Sequence, residues 1–190
     1  FNYINTIGGV TLNAAARKGS GTSNSDGASS GAGQGAWDFA LTTDGSMLGL
    51  DGLALGLGYG EKETGTKAAS TPGGDDEHMT AFANYSMGPV TFGYQVSNID
   101  KGGVNAIDQE VSAWGLAFNV NENLSISYGE RDVVFRGQGS GDITEKGDGI
   151  AVAYTMGSMK IAGNMNDVSD NDGTTGSNDS MTEIAVSFAF

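Results

Sequence analysis

The chain has 190 residues, a formal net charge of -14 and a pI near 4.1, which is enough chain for one domain and the wrong sign for a nucleic-acid partner. It has no cysteine and one histidine, so a disulfide scaffold, a thiolate metal site and a multi-histidine metal site are all excluded. There is no run of roughly 18 apolar residues for a membrane helix, but a mean hydropathy of -0.22 does not exclude membrane strands, because these turn half their residues to water.

Thirty-two glycines against two prolines suit many strands and turns rather than a helical bundle. Phe1 is read as a processed terminus or the edge of a fragment, since the chain shows no signal peptide and does not begin with Met. Val10, Leu12, Ala14 and Ala16 alternate with Thr11, Asn13, Ala15 and Arg17, predicting a strand over residues 9–18. A run of Gly, Ser, Asn, Asp and Ala from Gly19 to Gly35 reads as a long surface loop. Trp37, Phe39 and Leu41 then share one face, with Asp38, Ala40 and Thr42 on the other. Asp44-Gly45 and Asp51-Gly52 bracket a short apolar turn.

Leu53, Leu55, Leu57 and Tyr59 alternate with Ala54, Gly56, Gly58 and Gly60; a helix there would carry three interior glycines at roughly 1 kcal/mol each. Glu61 to Glu77 is a second polar loop. Met79 to Met87 is a weaker strand, because Phe82 falls opposite Tyr85. After the Gly88-Pro89 turn, Val90, Phe92, Tyr94 and Val96 face one way. Asn98 to Asp108 is a third polar loop. Trp114, Leu116, Phe118 and Val120 lead to a turn at Asn121 to Asn123, and Leu124, Ile126 and Tyr128 follow on a strand that can run on to Phe135 with Arg131 on the small-residue face. Gly137 to Gly147 reads as a fourth loop. Ile150 to Met156 and Met159 to Met165 form strands around the Gly157-Ser158 turn, and an acidic loop from Asp167 to Asp179 precedes the last strand. There Ile184, Val186, Phe188 and Phe190 alternate with Glu183, Ala185, Ser187 and Ala189.

This gives about ten strands near the length that crosses a bilayer at a tilt. Short turns alternate with long polar loops, a sorting by side that suits an antiparallel transmembrane β-barrel and that a soluble sandwich does not need. The large aromatics Trp37, Tyr59, Tyr85, Trp114, Phe118 and Tyr154 fall on the apolar faces and form a lipid-facing belt.

The phrases at Gly88 to Gln95, Asn123 to Gly129, Ile150 to Gly157 and Ile184 to Phe190 resemble the carboxy-terminal part of general diffusion porins of the Gram-negative outer membrane, of alphaproteobacterial type. The resemblance covers nearly the whole chain. It implies a homotrimer of sixteen-stranded barrels in the cell outer membrane, passing small hydrophilic solutes and ions by passive diffusion, with no catalytic activity. It also implies that residues 1–190 are a single barrel domain forming the carboxy-terminal portion of a longer porin, with residues 1–8 ending one further strand. Ile184, Val186, Phe188 and Phe190 then resemble the signal read by the barrel-assembly machinery, although Phe190 also fits an ordinary interfacial residue. A closed ten-stranded barrel would be underfilled by inner faces of Ala, Gly, Ser, Thr and Asn, which suit a wide, wet lumen.

A pore needs lumen charges rather than a nucleophile. Arg17, Arg131 and Lys160 fall on the small-residue faces, with Asp38 and Glu183 as their acidic counterparts; each also reads as an ordinary rim charge. No cofactor is expected. Asp75 and Asp76, and Asp170 and Asp172, supply Ca²⁺-type oxygen ligands, but without the spacing of an EF-hand loop, and they read equally as a solvated acidic rim that enriches cations. The partners implied are the lipid bilayer, outer-membrane lipids and further copies of the chain. Two other readings stand beside the porin: a secreted acidic β-rich surface or adhesin protein, which predicts a fixed repeat that the sequence lacks, and a small barrel enzyme, for which it offers no clustered catalytic set.

Overall fold

A computed structural model describes residues 1–18, 35–63, 75–102, 106–138 and 141–189. They form one antiparallel sheet of eleven strands in strict sequence order: β1 (Asn2–Ile7), β2 (Val10–Arg17), β3 (Ala36–Asp44), β4 (Leu53–Lys62), β5 (Asp76–Met87), β6 (Val90–Asp100), β7 (Asp108–Asn119), β8 (Leu124–Gln138), β9 (Gly141–Met156), β10 (Met159–Ser169) and β11 (Asp179–Phe188). Strands β1 and β11 are the sheet's two edges and do not pair with each other.

The period-two patterns dictate the register. Leu41 pairs with Leu57 and Phe39 with Tyr59, while Ala40 meets Gly58 on the opposite face. Further along, Tyr94 pairs with Trp114, Phe118 with Ile126, and Tyr154 with Ile161, all on the same apolar face. A slip of one residue would exchange the two faces throughout. Each face is therefore continuous from β1 to β11.

One end of the sheet carries turns at residues 8–9, 45–52, 88–89, 120–123 and 157–158. Gly8 and Gly9 adopt φ of 58° and 84°, the left-handed backbone that a two-residue hairpin requires. In the longer turn a 3-10 helix (Gly45–Leu48) is capped by Asp44, which accepts from the Ser46 hydroxyl and backbone N–H. These bonds hold the Asp44 carboxyl below the usual carboxylate range.

The further strand expected to end within residues 1–8 is β1, whose residues 2–7 pair fully with β2 and bring the ten strands to eleven. One expectation needs correction. The loop predicted over Gly137 to Gly147 is mostly paired strand: β8 runs to Gln138 and β9 starts at Gly141, so the two continue as a hairpin beyond their neighbours. The hairpin hides in the sequence because it reverses the polarity of the faces. Glu130, Asp132 and Arg136 continue the apolar face, while Val133, Phe135 and Ile143 continue the small-residue face.

Burial is concentrated in that reversed segment. Val133 and Phe135, at 5% and 6% exposure, are the buried hydrophobic side chains among the described residues. The connection from β10 to β11 folds over them. Gly173 has φ of 66°, and a Cβ there would lie 2.8 Å from the Phe135 ring, so both its backbone and the close approach favour glycine.

Candidate functional site

The two faces differ in chemistry along their whole length. Among the described residues thirty-three large hydrophobic side chains are exposed, including Leu57, Phe92, Leu116, Val152 and Val186, so the sheet shows apolar surface instead of enclosing it. Aromatic rings bound this band at both ends. Trp37, Phe39 and Tyr59 pack together near the loop end, with Trp37 and Tyr59 centroids 5.5 Å apart, and Trp114 meets Tyr128 edge-on at 5.7 Å. Their polar tips point to carboxylates beyond the band: Trp114 Nε1 and Tyr128 OH donate to Glu130 at 3.1 and 2.7 Å, and Tyr59 OH donates to Glu77 at 3.1 Å. At the turn end, Tyr85, Phe118 and Tyr154 occupy the same face. The six predicted belt residues thus share one face in two rows, as amphipathic rings do at membrane interfaces.

The opposite face is bare. Gly93, Gly115, Gly129 and Gly149 stand directly beside one another on β6, β7, β8 and β9. Asn84 on β5 and Asn166 on β10 close the row, with side chains folded over Gly93 and Gly149. A Cβ on Gly115 would meet only a backbone oxygen at 3.7 Å. Hydroxyls and amides cover the flanking wall, including a Thr80–Ser97 pair at 2.8 Å and Gln95 donating to Ser97 at 3.1 Å. Below the hairpin that carries Phe135, Phe82 is a large aromatic on this face, lying against Gly56.

All five predicted pore charges lie on this small-residue face. Arg17 is at the loop end of β2, and Asp38 on β3 is its diagonal neighbour, since Arg17 pairs with Ala36 and Asp38 with Ala15. Lys160 is next to the turn end, opposite Thr155 and Ser187. Glu183 pairs with Asn164 and accepts from its amide at 3.3 Å. Arg131 forms an ion pair with Glu145, a residue that sequence reasoning did not single out. Of the predicted assembly residues, Ile184, Val186 and Phe188 are exposed on the apolar face of β11, and Phe190 lies outside the described residues.

The acidic residues considered for Ca²⁺ stand apart, and no group of three or more ligating side chains suited to a metal occurs among the described residues. Asp76 instead accepts from Gly102 N at 3.1 Å and pairs with Lys101 at 3.5 Å. Asp170 accepts from Gly176 N at 2.6 Å. Asp75 lies at the foot of β5, and Asp172 in the connection from β10 to β11.

Above the band, Arg136 clasps the hairpin on its polar side. Its guanidinium forks onto Glu110 at 3.0 and 2.6 Å and reaches Asp142 at 2.6 Å. Arg136 holds the Glu110 carboxyl below its ordinary range, and the Gly137 N–H followed by Arg136 does the same for Asp142. The Arg136 guanidinium is pushed up in turn by these two carboxylates, Glu110 first.

An apolar band bounded by aromatic rows and backed by a bare polar face is the two-sided pattern of a membrane-spanning β-sheet. The family model for Gram-negative porins matches residues 1–190, and the chain belongs to that family. It is therefore a protein of the Gram-negative outer membrane. A solved porin structure, refined at 1.8 Å resolution, superposes on it with a TM-score of 0.72 at 15% sequence identity, covering 100% of this chain and 60% of the porin. No curated protein matches the chain. The chain thus spans about 60% of the length of the porin whose fold it shares. In a transmembrane barrel the outer face is the apolar one and the inner face the small-residue one, and family membership sets aside the secreted surface-protein reading.

Proposed function

We propose that the chain is the carboxy-terminal part of a sixteen-stranded porin that assembles as a homotrimer and passes small hydrophilic solutes and ions by passive diffusion. The observation that carries this reading is the bare inner wall. A narrow barrel packs its lumen with side chains, whereas a row of four glycines between two asparagines leaves room for water. The open edges support a longer chain. With eleven strands alternating in direction, β1 and β11 run the same way, so an all-antiparallel closure needs an odd number of further strands; the step from eleven to sixteen adds five.

Selectivity in this reading comes from Arg17, Lys160, Asp38 and Glu183 on the wall, with Arg131 largely neutralised by Glu145. No cofactor takes part. The exposed outer face of β11, with Ile184, Val186 and Phe188, fits a strand presented to the barrel-assembly machinery before closure. Single-channel recording in planar bilayers under a salt gradient tests the proposal. It predicts large ohmic steps in groups of three, with a reversal potential whose sign reports whether acidic or basic wall charges dominate. Well-inserted protein without conductance would refute it.

A further inference from the structure

Two charged side chains are buried among the described residues, Asp76 at 8% and Glu145 at 5% exposure; the pore reading uses Glu145 only to neutralise Arg131, and Asp76 not at all. Both lie on the inner face at the loop end, Asp76 at the start of β5 and Glu145 near the start of β9. Both accept a backbone N–H from a surface connection: Gly102 N donates to Asp76 Oδ1 at 3.1 Å, and Asp172 N donates to Glu145 Oε2 at 2.8 Å. Both also hold a base, Lys101 at 3.5 Å from Asp76 and Arg131 on Glu145.

The two arrangements have the same address in the fold. Strands β5 and β9 each run from the loop end to a two-residue turn, and β6 and β10 return beside them. The bonded N–H follows the returning strand, 26 residues after Asp76 and 27 after Glu145. A carboxylate withdrawn from water in this way requires its partners, because an uncompensated buried charge is far costlier than the hydrogen bonds that satisfy it. Each acid therefore ties the first residues of a connection to the wall. Behind Glu145 the tie is backed by packing, with Gly173 seated on Phe135.

We propose that Asp76 and Glu145 are a matched pair of loop anchors, positioning residues that hold the first residues of the β6–β7 and β10–β11 connections against the inner wall and so fix the bore of the channel mouth. The mouth rests on the channel reading above; the anchors rest on the contacts alone.

Hydrogen exchange on the folded full-length porin, read beside its single-channel current, tests both parts. Glu145→Ala is expected to speed exchange of the amides of Asn171, Gly173 and Thr174 at least tenfold, and Asp76→Ala that of Lys101 and Gly102, with the strands of the apolar band unchanged. The current of each variant is expected to show several-fold more brief closures. Glu145→Gln keeps an oxygen for the Asp172 N–H and loses the charge pair, so it should fold if the alanine variant does not and give a smaller rise. Glu110→Gln, on the outer face of β7 beside that hairpin, is expected to leave both connections at the wild-type rate. Unchanged exchange in the folded Glu145 and Asp76 variants would overturn the anchors. Faster exchange with an unaltered current would overturn their control of the bore. A silent wild-type protein with the exchange pattern intact would refute the channel reading and leave the anchors standing.

Discussion

The middle of β9 and its beginning obey opposite rules. From Ile150 to Tyr154 the large residues point outward and alanines point inward; from Ile143 to Asp148 the outward positions are Thr144, Lys146 and Asp148, and the inward ones include Ile143 and the buried Glu145. The backbone alternation never changes, only the solvent on each side. Within the membrane, lipid is the apolar phase and the lumen is wet, so apolar residues belong outside. Above it, both sides are aqueous, and the hairpin makes a small core of its own by burying Val133 and Phe135, the latter under Gly173. One strand thus reads as a membrane segment at one end and as a soluble hairpin at the other.

This contrast can be broken most strongly in the band. Val152→Arg puts a charge on the lipid face and is expected to cost roughly 2–4 kcal/mol in folding into vesicles, while Ala151→Arg, one residue away on the inner wall, should leave stability nearly intact and move the reversal potential toward anions. Denaturant titrations of the two variants in lipid check the first half, and bilayer recordings the second.

In the hairpin, Phe135→Ala is expected to cost about 2 kcal/mol, less than in a deep core because the ring is covered by a single loop. The loss should appear as faster hydrogen exchange confined to residues 131–145 and 171–174. Equal loosening of the lipid-facing strands would mean that the two regions are one cooperative unit.

A smaller effect follows from acid. Glu110 and Asp142 have carboxyls depressed by the Arg136 clasp and the Gly137 N–H. A depressed folded-state value means a contribution that is present above the unfolded value and lost as pH falls through the folded one. Exchange in the hairpin should therefore rise only as pH drops below the ordinary carboxylate range, and Arg136→Gln should shrink that step, leaving the part that the Gly137 N–H gives to Asp142. The groups are exposed, so salt should weaken the same step.

Much of the band was legible in the sequence, because lipid and lumen impose complementary demands on alternate residues, and the pattern from Leu53 to Gly60 can satisfy both only as a strand. The face of every predicted wall charge followed from parity, as at Arg17 and Lys160. The upper hairpin was not legible, because its polar outward face removes the signal that marks a membrane strand. The contacts of Asp76 and Glu145 escaped notice because their partners, Gly102 and Asp172, lie 26 and 27 residues away and are supplied by backbone N–H groups that carry no sequence signature. The glycine row is likewise invisible until the register sets Gly93, Gly115, Gly129 and Gly149 side by side.

The most direct test of the central claim, that alternate residues face lipid and lumen and that this rule reverses above the band, is single-cysteine labelling of the folded protein in vesicles; the chain has no cysteine of its own to interfere. With a membrane-impermeant thiol reagent, cysteines at Ala151 and Ala153 should react and those at Ile150 and Val152 should not, while in the hairpin Lys146 and Asp148 should react and Val133 and Ile143 should not. Reaction at Ile150 and Val152 with protection at Ala151 and Ala153, or one unbroken parity along β9 from the hairpin to the turn, would contradict it.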